Sequence, residues 1–290
     1  RSSVRRWDRC FEAIAQDDYV AKSPPAALDR AVKVLAARAA HEIPEVQRAI
    51  ADERPDALLI DFNSWGAAMA AEKSGLPWAL FMPYFLPWRL PGLPPFGPGL
   101  APASGFFGRL RDAIAGGAVH WLVNRNLKTQ NTLRAGLGLA PLAHMTDVGR
   151  AAPLVLHFTA EPFDYACAAR PSAVVRVGPG LWEPPAAAPA WLAAVDKPIV
   201  LVTCSTEYQA DGALISAALE GLASEDVQVV ATTAALDPAQ FTAPANARLE
   251  RFVAHGPLLA KAACVVCHGG MGITQKALAA GVPVCVVPFG

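Results

Sequence analysis

The sequence CVVCHGGMGITQKALAAGVP, residues 264–283, decides the fold. It begins as an apolar run typical of a strand buried on both faces, turns through closely spaced glycines, and continues as a short helix. Gly281 and Pro283 end that helix, and a second apolar run follows at 284–287. Strand, helix and strand in this order predict a parallel α/β sheet.

The same alternation of strand and helix patterns extends through the rest of the chain. Short apolar runs predict strands at 57–60, 78–82, 154–158, 174–177, 199–202, 227–231, 248–252, 263–267 and 284–287. Helical spacing of apolar residues predicts helices at 26–53, 65–73, 106–134, 212–222 and 274–280. The predicted fold class is therefore α/β, with parallel sheets and helices between the strands.

A proline-rich segment separates two such series of strands and helices. Residues 178–189, GPGLWEPPAAAP, fit neither a helix nor a strand, and their prolines make the segment stiff. We predict a first domain at 1–178, a linker at 179–197 and a second domain at 198–290. A length of 290 residues suits two domains.

Composition excludes several classes of protein. Lys and Arg number 25, as do Asp and Glu, so there is no basic field that would attract nucleic acid. A hydrophobic fraction of 53% excludes a disordered chain. The longest uncharged run, 90–108, contains five prolines and five glycines, so it cannot form a transmembrane helix. No secretory signal is recognisable, and we predict a cytoplasmic protein.

The turn at residues 268–274 predicts an anion-binding site. Its three glycines let a ligand approach the backbone closely, and the helix that follows presents free N–H groups and the positive end of its dipole. His268 adds a ring N–H and Thr274 adds a hydroxyl. Together these groups suit a diphosphate.

Four alternative interpretations of this turn are less favoured. The glycines could serve packing alone, but three glycines beside a histidine are more than a turn requires. Gln275 stands at the third glycine position of a dinucleotide fingerprint, and Lys276 is not placed as in a P-loop. Cys264, Cys267 and His268 match the pattern for c-type haem attachment, but no export signal accompanies them.

This motif resembles the donor-binding signature of GT-B nucleotide-sugar glycosyltransferases, in particular the bacterial members of family 1 that modify natural products and lipids. The resemblance rests on HGGMGIT at 268–274, GVP at 281–283, FVAH at 252–255 and TCST at 203–206. It implies two Rossmann-like domains that face a cleft. The residues that it implies for donor binding are Ser205, Thr206, Phe252, Val253, His268, Gly269, Gly270, Gly272, Ile273 and Thr274.

In the first domain the resemblance rests on DALLIDF at 56–62 and on the predicted helix after it. Asp61 falls where the family places the acid that orients the catalytic histidine, although the same carboxylate could instead cap the next helix. The apolar segment 80–88 fits a hydrophobic acceptor pocket, but such aromatic residues also fill protein cores. The predicted acceptor-binding residues are Phe62, Trp65, Tyr84 and Trp88.

The sequence departs from the family pattern in three places. Family members open with a strand and a glycine-containing loop that carries the histidine base, whereas this sequence opens in a helical pattern. The Asp-Gln pair that usually meets the donor sugar would come after Gly290. Lys276 stands where many relatives carry a glutamate for ribose. We therefore expect both ends of a complete transferase to lie outside these residues, which alone would not catalyse transfer.

The resemblance implies an inverting transfer of a sugar from a UDP- or dTDP-sugar to a hydroxyl group of a hydrophobic small molecule or lipid. No cofactor is expected, and the absence of an Asp-x-Asp pair predicts that no metal is bound. A lipid acceptor would be compatible with peripheral membrane contact. The alternatives are a nucleotide-sugar epimerase of the same fold, a transferase acting on a cell-wall lipid, and a non-catalytic partner that binds nucleotide sugars.

Overall fold

The chain divides into two compact units, Arg1–Gly178 and Pro179–Gly290. The computed structural model describes residues 23–167, 169–205 and 212–288. Each unit contains one sheet in which every recorded strand pair is parallel, with helices between the strands. The predicted α/β class is confirmed.

The first unit has a four-stranded sheet in the order β1-β2-β3-β4. Its strands are β1 (Leu58–Asp61), β2 (Trp78–Met82), β3 (Val155–His157) and β4 (Val174–Arg176). Its helices are α1 (Pro24–Glu53), α2 (Trp65–Ser74), α3 (Gly105–Asn124), α4 (Leu127–Gly136) and a 3-10 helix, Met145–Ala151. Within the described residues β1 is an edge strand, and its Leu59 side chain is 60% exposed.

A buried carboxylate joins the first two helices of this unit. Glu42 on α1 is 2% exposed and receives two hydrogen bonds from the Arg38 guanidinium, at 2.9 and 2.7 Å. Its other oxygen accepts the backbone N–H groups of Gly66 and Ala67, at 2.8 and 3.4 Å, in the first turn of α2. These N–H groups have no partner within their own helix, so Glu42 supplies the acceptor and fixes the start of α2.

The second unit has a five-stranded sheet in the order β7-β6-β5-β8-β9. Its strands are β5 (Ile199–Thr203), β6 (Gln228–Thr232), β7 (Ala247–Glu250), β8 (Ala262–Cys267) and β9 (Val284–Val286). Its helices are α5 (Gly212–Gly221), α6 (His255–Leu259), α7 (Met271–Ala279) and two 3-10 helices, Ala190–Ala194 and Pro238–Gln240. The central strand β5 is buried at every position, as its continuous apolar sequence requires.

Several boundaries differ from the sequence prediction. The helix predicted at 106–134 is two helices, α3 and α4, and the strand predicted at 248–252 ends at Glu250. Two further differences concern the second unit. Helix α7 begins at Met271 rather than at residue 274, so the glycine turn is confined to 268–270. The predicted linker at 179–197 includes the 3-10 helix Ala190–Ala194, whose Leu192 is buried in the core of the second unit. Apolar side chains in this segment therefore pack on the sheet that follows. The sequence did not indicate this packing, because the surrounding prolines are typical of a linker.

Among the described residues, no helix combines the length and apolar character that crossing a bilayer demands.

Candidate functional site

The strand order of the second sheet places a crevice between β5 and β8. From β5 the chain moves outward to β6 and β7 on one side, and then to β8 and β9 on the other. Ligands of open α/β sheets bind outside the carboxyl ends of the strands at such a reversal. Thr203 and Cys267, the last residues of β5 and β8, are paired in register. The segments that follow them, at 204–205 and 268–270, therefore leave the sheet side by side.

The turn after β8 needs its first two glycines for different reasons. Gly269 has φ +94°, a conformation that other residues rarely adopt, and a Cβ there would lie 2.9 Å from a methyl carbon of Val286. Gly270 has an ordinary φ, but a Cβ there would lie 2.6 Å from Nε2 of His268. The imidazole ring is thus packed against Gly270, directly before the first residue of α7.

The start of α7 offers hydrogen-bond donors to a ligand. The N-cap residue is Gly270, which has no side chain to accept the first N–H groups of the helix. Gly272 is exposed, and a Cβ there would meet no atom within 4 Å. Nδ1 of His268 is buried without a hydrogen-bond partner among the described residues. Backbone donors and the positive end of a helix dipole are therefore available at the exposed Gly272, and the imidazole of His268 packs against Gly270, two residues before it.

Two of the predicted donor-binding residues face inward instead. Thr274 is buried, and its hydroxyl lies 3.7 Å from Sγ of Cys267. Ile273 packs against the core of the second unit. Because α7 starts three residues earlier than predicted, the side chain of Thr274 falls on the face of the helix that packs on β8.

The other predicted donor-binding residues follow the strands β7 and β5. Phe252 lies beyond the end of the strand and is 75% exposed, so its ring is free to stack on a planar group. Val253 is half-buried against the core. Ser205, after β5, is half-buried, and Thr206 lies outside the described residues.

A histidine and two threonines connect this segment to β5. Nε2 of His255 lies 3.4 Å from the hydroxyl of Thr232, which donates to the hydroxyl of Thr203 at 2.8 Å. Burial lowers the pKa of His255, against the opposing influence of the Glu183 carboxylate. The imidazole is therefore neutral near pH 7.

Sequence reasoning missed Glu183, which joins three parts of the second unit. Its Oε1 accepts the backbone N–H of His255 and its Oε2 that of Gly256, both at 2.9 Å. The ammonium of Lys276 on α7 lies 3.7 Å from Oε1. Although burial alone would raise it, the pKa of Glu183 is lowered by these two N–H donors and by Lys276. No local pattern marks this residue, because its partners lie more than seventy positions away.

In the first unit, Asp61 is the last residue of β1, at the carboxyl end of a parallel strand as predicted. Its Oδ1 accepts the backbone N–H of Asn63 at 2.8 Å, which closes a turn rather than a helix. Helix α2 is capped by Glu42 instead, whose carboxylate accepts the first N–H groups of that helix.

Tyr84 lies close to Asp61. The hydroxyl of Tyr84 donates to Oδ1 of Asn63 at 2.7 Å. Burial and, to a smaller extent, the negative charge of Asp61 raise the pKa of Tyr84.

The predicted acceptor-binding residues do not share one environment. Phe62, Trp65 and Trp88 are buried in the hydrophobic core of the first unit. Tyr84 is half-buried, and its ring lies 5.9 Å from the rings of both Phe62 and Phe96. Tyr84 is thus the member of the predicted set whose side chain is partly accessible beside Asp61.

The geometry of β8 argues against haem attachment. Cys264 and Cys267 lie three residues apart on one strand, so their side chains point to opposite faces of the sheet. Cys267 is fully buried. Two thioether bonds to a single macrocycle would require both sulfurs on one side.

No family model matches the chain. The chain is 33% identical over 258 residues to 4'-demethylrebeccamycin synthase from Lentzea aerocolonigenes, a match that covers 86% of this chain and 60% of that protein. A further relative that matches 39% of this chain is a PGL/p-HBAD biosynthesis glycosyltransferase from Mycobacterium tuberculosis, so the chain is a glycosyltransferase homologue. It spans about 60% of the length of the Lentzea aerocolonigenes relative.

Solved structures show that this glycosyltransferase homologue has the GT-B fold. Spinosyn rhamnosyltransferase SpnG complexed with spinosyn aglycone matches with a TM-score of 0.62 at 19% identity, over 94% of this chain and 65% of that one. Glycosyltransferase VinC in complex with dTDP matches with a TM-score of 0.59 at 21% identity, over 92% of this chain and 65% of that one. The resemblance found in the sequence is confirmed at the level of the fold and of the homologous proteins.

Proposed function

We propose that these residues form part of a glycosyltransferase that moves a sugar from a UDP- or dTDP-sugar to a hydroxyl group of a hydrophobic small molecule or lipid. In this proposal the second unit binds the donor and the first unit binds the acceptor. The homology to a natural-product glycosyltransferase and the dTDP complex of VinC support this class of reaction and donor.

One observation carries the donor assignment. The exposed Gly272, the uncapped N–H groups at the start of α7 and the ring of His268 all belong to residues 268–272, which follow β8 beside the reversal of strand order between β5 and β8. Backbone N–H groups at a helix N-terminus favour a phosphate group. A diphosphate placed there would have the exposed ring of Phe252, which follows β7, available for its nucleobase.

The proposed reaction is a single displacement at the anomeric carbon. The acceptor oxygen forms a bond to that carbon, the bond to the diphosphate breaks on the opposite face, and the configuration inverts. The acceptor proton passes to a base, for which the family resemblance implies a histidine oriented by Asp61. The negative charge that develops on the diphosphate is stabilised by the N–H groups of α7 and by His268, without a metal ion in this proposal.

The acceptor assignment rests on the carboxyl end of the first sheet. Asp61 ends β1, and Tyr84 follows β2, its neighbour in the sheet. The half-buried Tyr84 ring and the exposed Phe96 ring beside it supply apolar surface near a carboxylate. A mostly apolar site with one placed polar group suits a hydrophobic aglycone.

The test is turnover by the complete gene product with a panel of UDP- and dTDP-sugars and hydrophobic alcohols. We expect transfer that proceeds with inversion, continues in the presence of EDTA, and falls at least tenfold in Asp61→Asn. Nucleotide-sugar binding without turnover would support the non-catalytic alternative, and interconversion of two free nucleotide sugars would support the epimerase. Binding of neither UDP nor dTDP would reject the proposal.

A further inference from the structure

Glu183 belongs to none of the segments from which the donor site was predicted, yet it contacts the backbone of one of them and a side chain of the helix α7, which begins in another. It lies in the proline-rich segment before the second sheet, and its side chain is about one-fifth exposed. One carboxylate oxygen accepts the N–H of His255 and the other accepts the N–H of Gly256, both at 2.9 Å. A carboxylate that engages two consecutive N–H groups fixes the position and orientation of that piece of backbone.

The backbone that Glu183 fixes continues directly from Phe252 and Val253. Only Ala254 separates Val253 from His255. The contacts of Glu183 with His255 and Gly256 therefore also restrict the backbone of residues 252 and 253. On its other side, the segment is connected to the strand β6 through the imidazole of His255 and the hydroxyl of Thr232. The segment proposed to hold the nucleobase is therefore fastened at its C-terminal end.

The same carboxylate also faces the helix that carries the diphosphate site. Nζ of Lys276, on the second turn of α7, lies 3.7 Å from Oε1 of Glu183. The Lys276 side chain is about one-fifth exposed, so the pair lies at the surface of the unit rather than in its core. Glu183 thus contacts both the segment 252–256 and the helix α7, and it fixes the position of one relative to the other.

We propose that Glu183 is a positioning residue for nucleoside recognition, which holds the segment 252–256 beside α7 so that the nucleobase and the diphosphate of one ligand are bound together. The inference rests on the proposed function. It assigns the nucleoside part of the ligand to the segment that Glu183 holds, and the diphosphate part to the turn and α7, whose backbone Glu183 does not contact.

The experiment compares Glu183→Gln with the wild type by calorimetry, using UDP, dTDP and inorganic pyrophosphate as probes. An amide matches the shape of the carboxylate but offers only one acceptor oxygen to the two N–H groups. We expect affinity for UDP and dTDP to fall about tenfold, the effect of losing one charge-assisted hydrogen bond. Affinity for pyrophosphate, which has no nucleoside, stays unchanged. Glu225→Gln is the control, since Glu225 is an exposed carboxylate in the same unit.

A purely structural role for Glu183 would give a different result. It would lower the melting temperature but leave the nucleotide affinity of the folded protein unchanged, or reduce affinity for all three probes equally, and either result overturns the inference. If Glu183→Gln does not fold, Glu183→Asp retains the charge on a shorter side chain. We expect it to lose affinity for UDP but not for pyrophosphate, and wild-type affinity for UDP would overturn the inference.

The proposed function and this inference fail in distinguishable ways. A wild-type protein that binds neither UDP nor dTDP rejects both. A wild-type protein that binds them, together with a Glu183→Gln variant of equal affinity, rejects the positioning role alone.

Discussion

At the scale of single residues, His268 is the side chain that the proposed donor site places nearest to the diphosphate. Substitution by alanine removes the ring N–H, and we expect affinity for UDP and dTDP to fall about tenfold through the loss of a hydrogen bond to a charged ligand. The fold should persist, because the ring is only half-buried. Calorimetry measures the change, with His41→Ala in the first unit as the control. Unchanged affinity would remove His268 from the site.

The substitution Gly272→Ala distinguishes an effect on ligand affinity from an effect on stability. A methyl group at this position meets no atom of the protein, and alanine favours a helix over glycine by up to about 1 kcal/mol. We therefore expect Gly272→Ala to leave the melting temperature unchanged or raised, while affinity for UDP falls because the methyl group occupies the approach to the first N–H groups of α7.

Gly117→Ala in α3 is the matched control for this substitution, since a Cβ there also meets nothing within 4 Å. It should stabilise the protein without any effect on UDP affinity. A Gly272→Ala variant that binds UDP as tightly as the wild type would contradict the assigned direction of approach.

At the scale of elements, the start of α2 depends on a carboxylate from α1. Glu42→Ala leaves the N–H groups of Gly66 and Ala67 and the guanidinium of Arg38 without their acceptor. We expect the free energy of unfolding to fall by about 2–3 kcal/mol, measured by urea denaturation. Glu45→Ala, at an exposed position of the same helix, should change it by less than about 0.5 kcal/mol. Equal effects of the two substitutions would show that the buried contacts contribute little.

The sequence predicted helices, strands and turns better than it predicted contacts between them. Apolar runs such as those at β5 and β8 predict buried parallel strands, because only continuous apolar sequence suits a strand covered on both faces. The glycine turn between β8 and α7 was equally predictable, since the positive φ at Gly269 favours glycine and Gly270 leaves room for the ring of His268.

Contacts distant in sequence could not be predicted in this way. Glu42 acts on an N–H group 24 residues away, and Glu183 on one 72 residues away, and no periodicity relates such positions. The aromatic residues after β1 and β2 pose a similar problem. Composition alone does not say that Trp65 and Trp88 fill the core while the Tyr84 ring stays partly accessible.

At the scale of the whole molecule, the buried His157 and the half-buried His255 make stability depend on pH. Burial lowers the pKa of both His157 and His255 below the usual value of 6.5, so the unfolded chain binds protons more readily than the folded protein. Stability is therefore complete above about pH 6.5 and declines as the pH falls below it, by at most about 1.4 kcal/mol per pH unit for each histidine.

Urea denaturation at pH 7.5 and pH 5.5 tests this dependence. The free energy of unfolding should be lower at pH 5.5, and His157→Gln should reduce the difference, because glutamine does not titrate. The lowered pKa of Glu183 acts only below about pH 4.5, outside this window. Equal free energies of unfolding at the two pH values would contradict the prediction.

The exposed edge of the first sheet has a practical consequence for handling the protein. Within the described residues β1 has no neighbour on its outer side, and the free N–H and C=O groups of such an edge strand can pair with a second chain. The exposed apolar side chain of Leu59 lies on the same strand. We expect these 290 residues, produced by themselves, to self-associate as concentration rises, and Leu59→Lys to delay that association. Light scattering across a concentration series measures this association, and the soluble yield of a preparation would then depend on this strand rather than on the second unit.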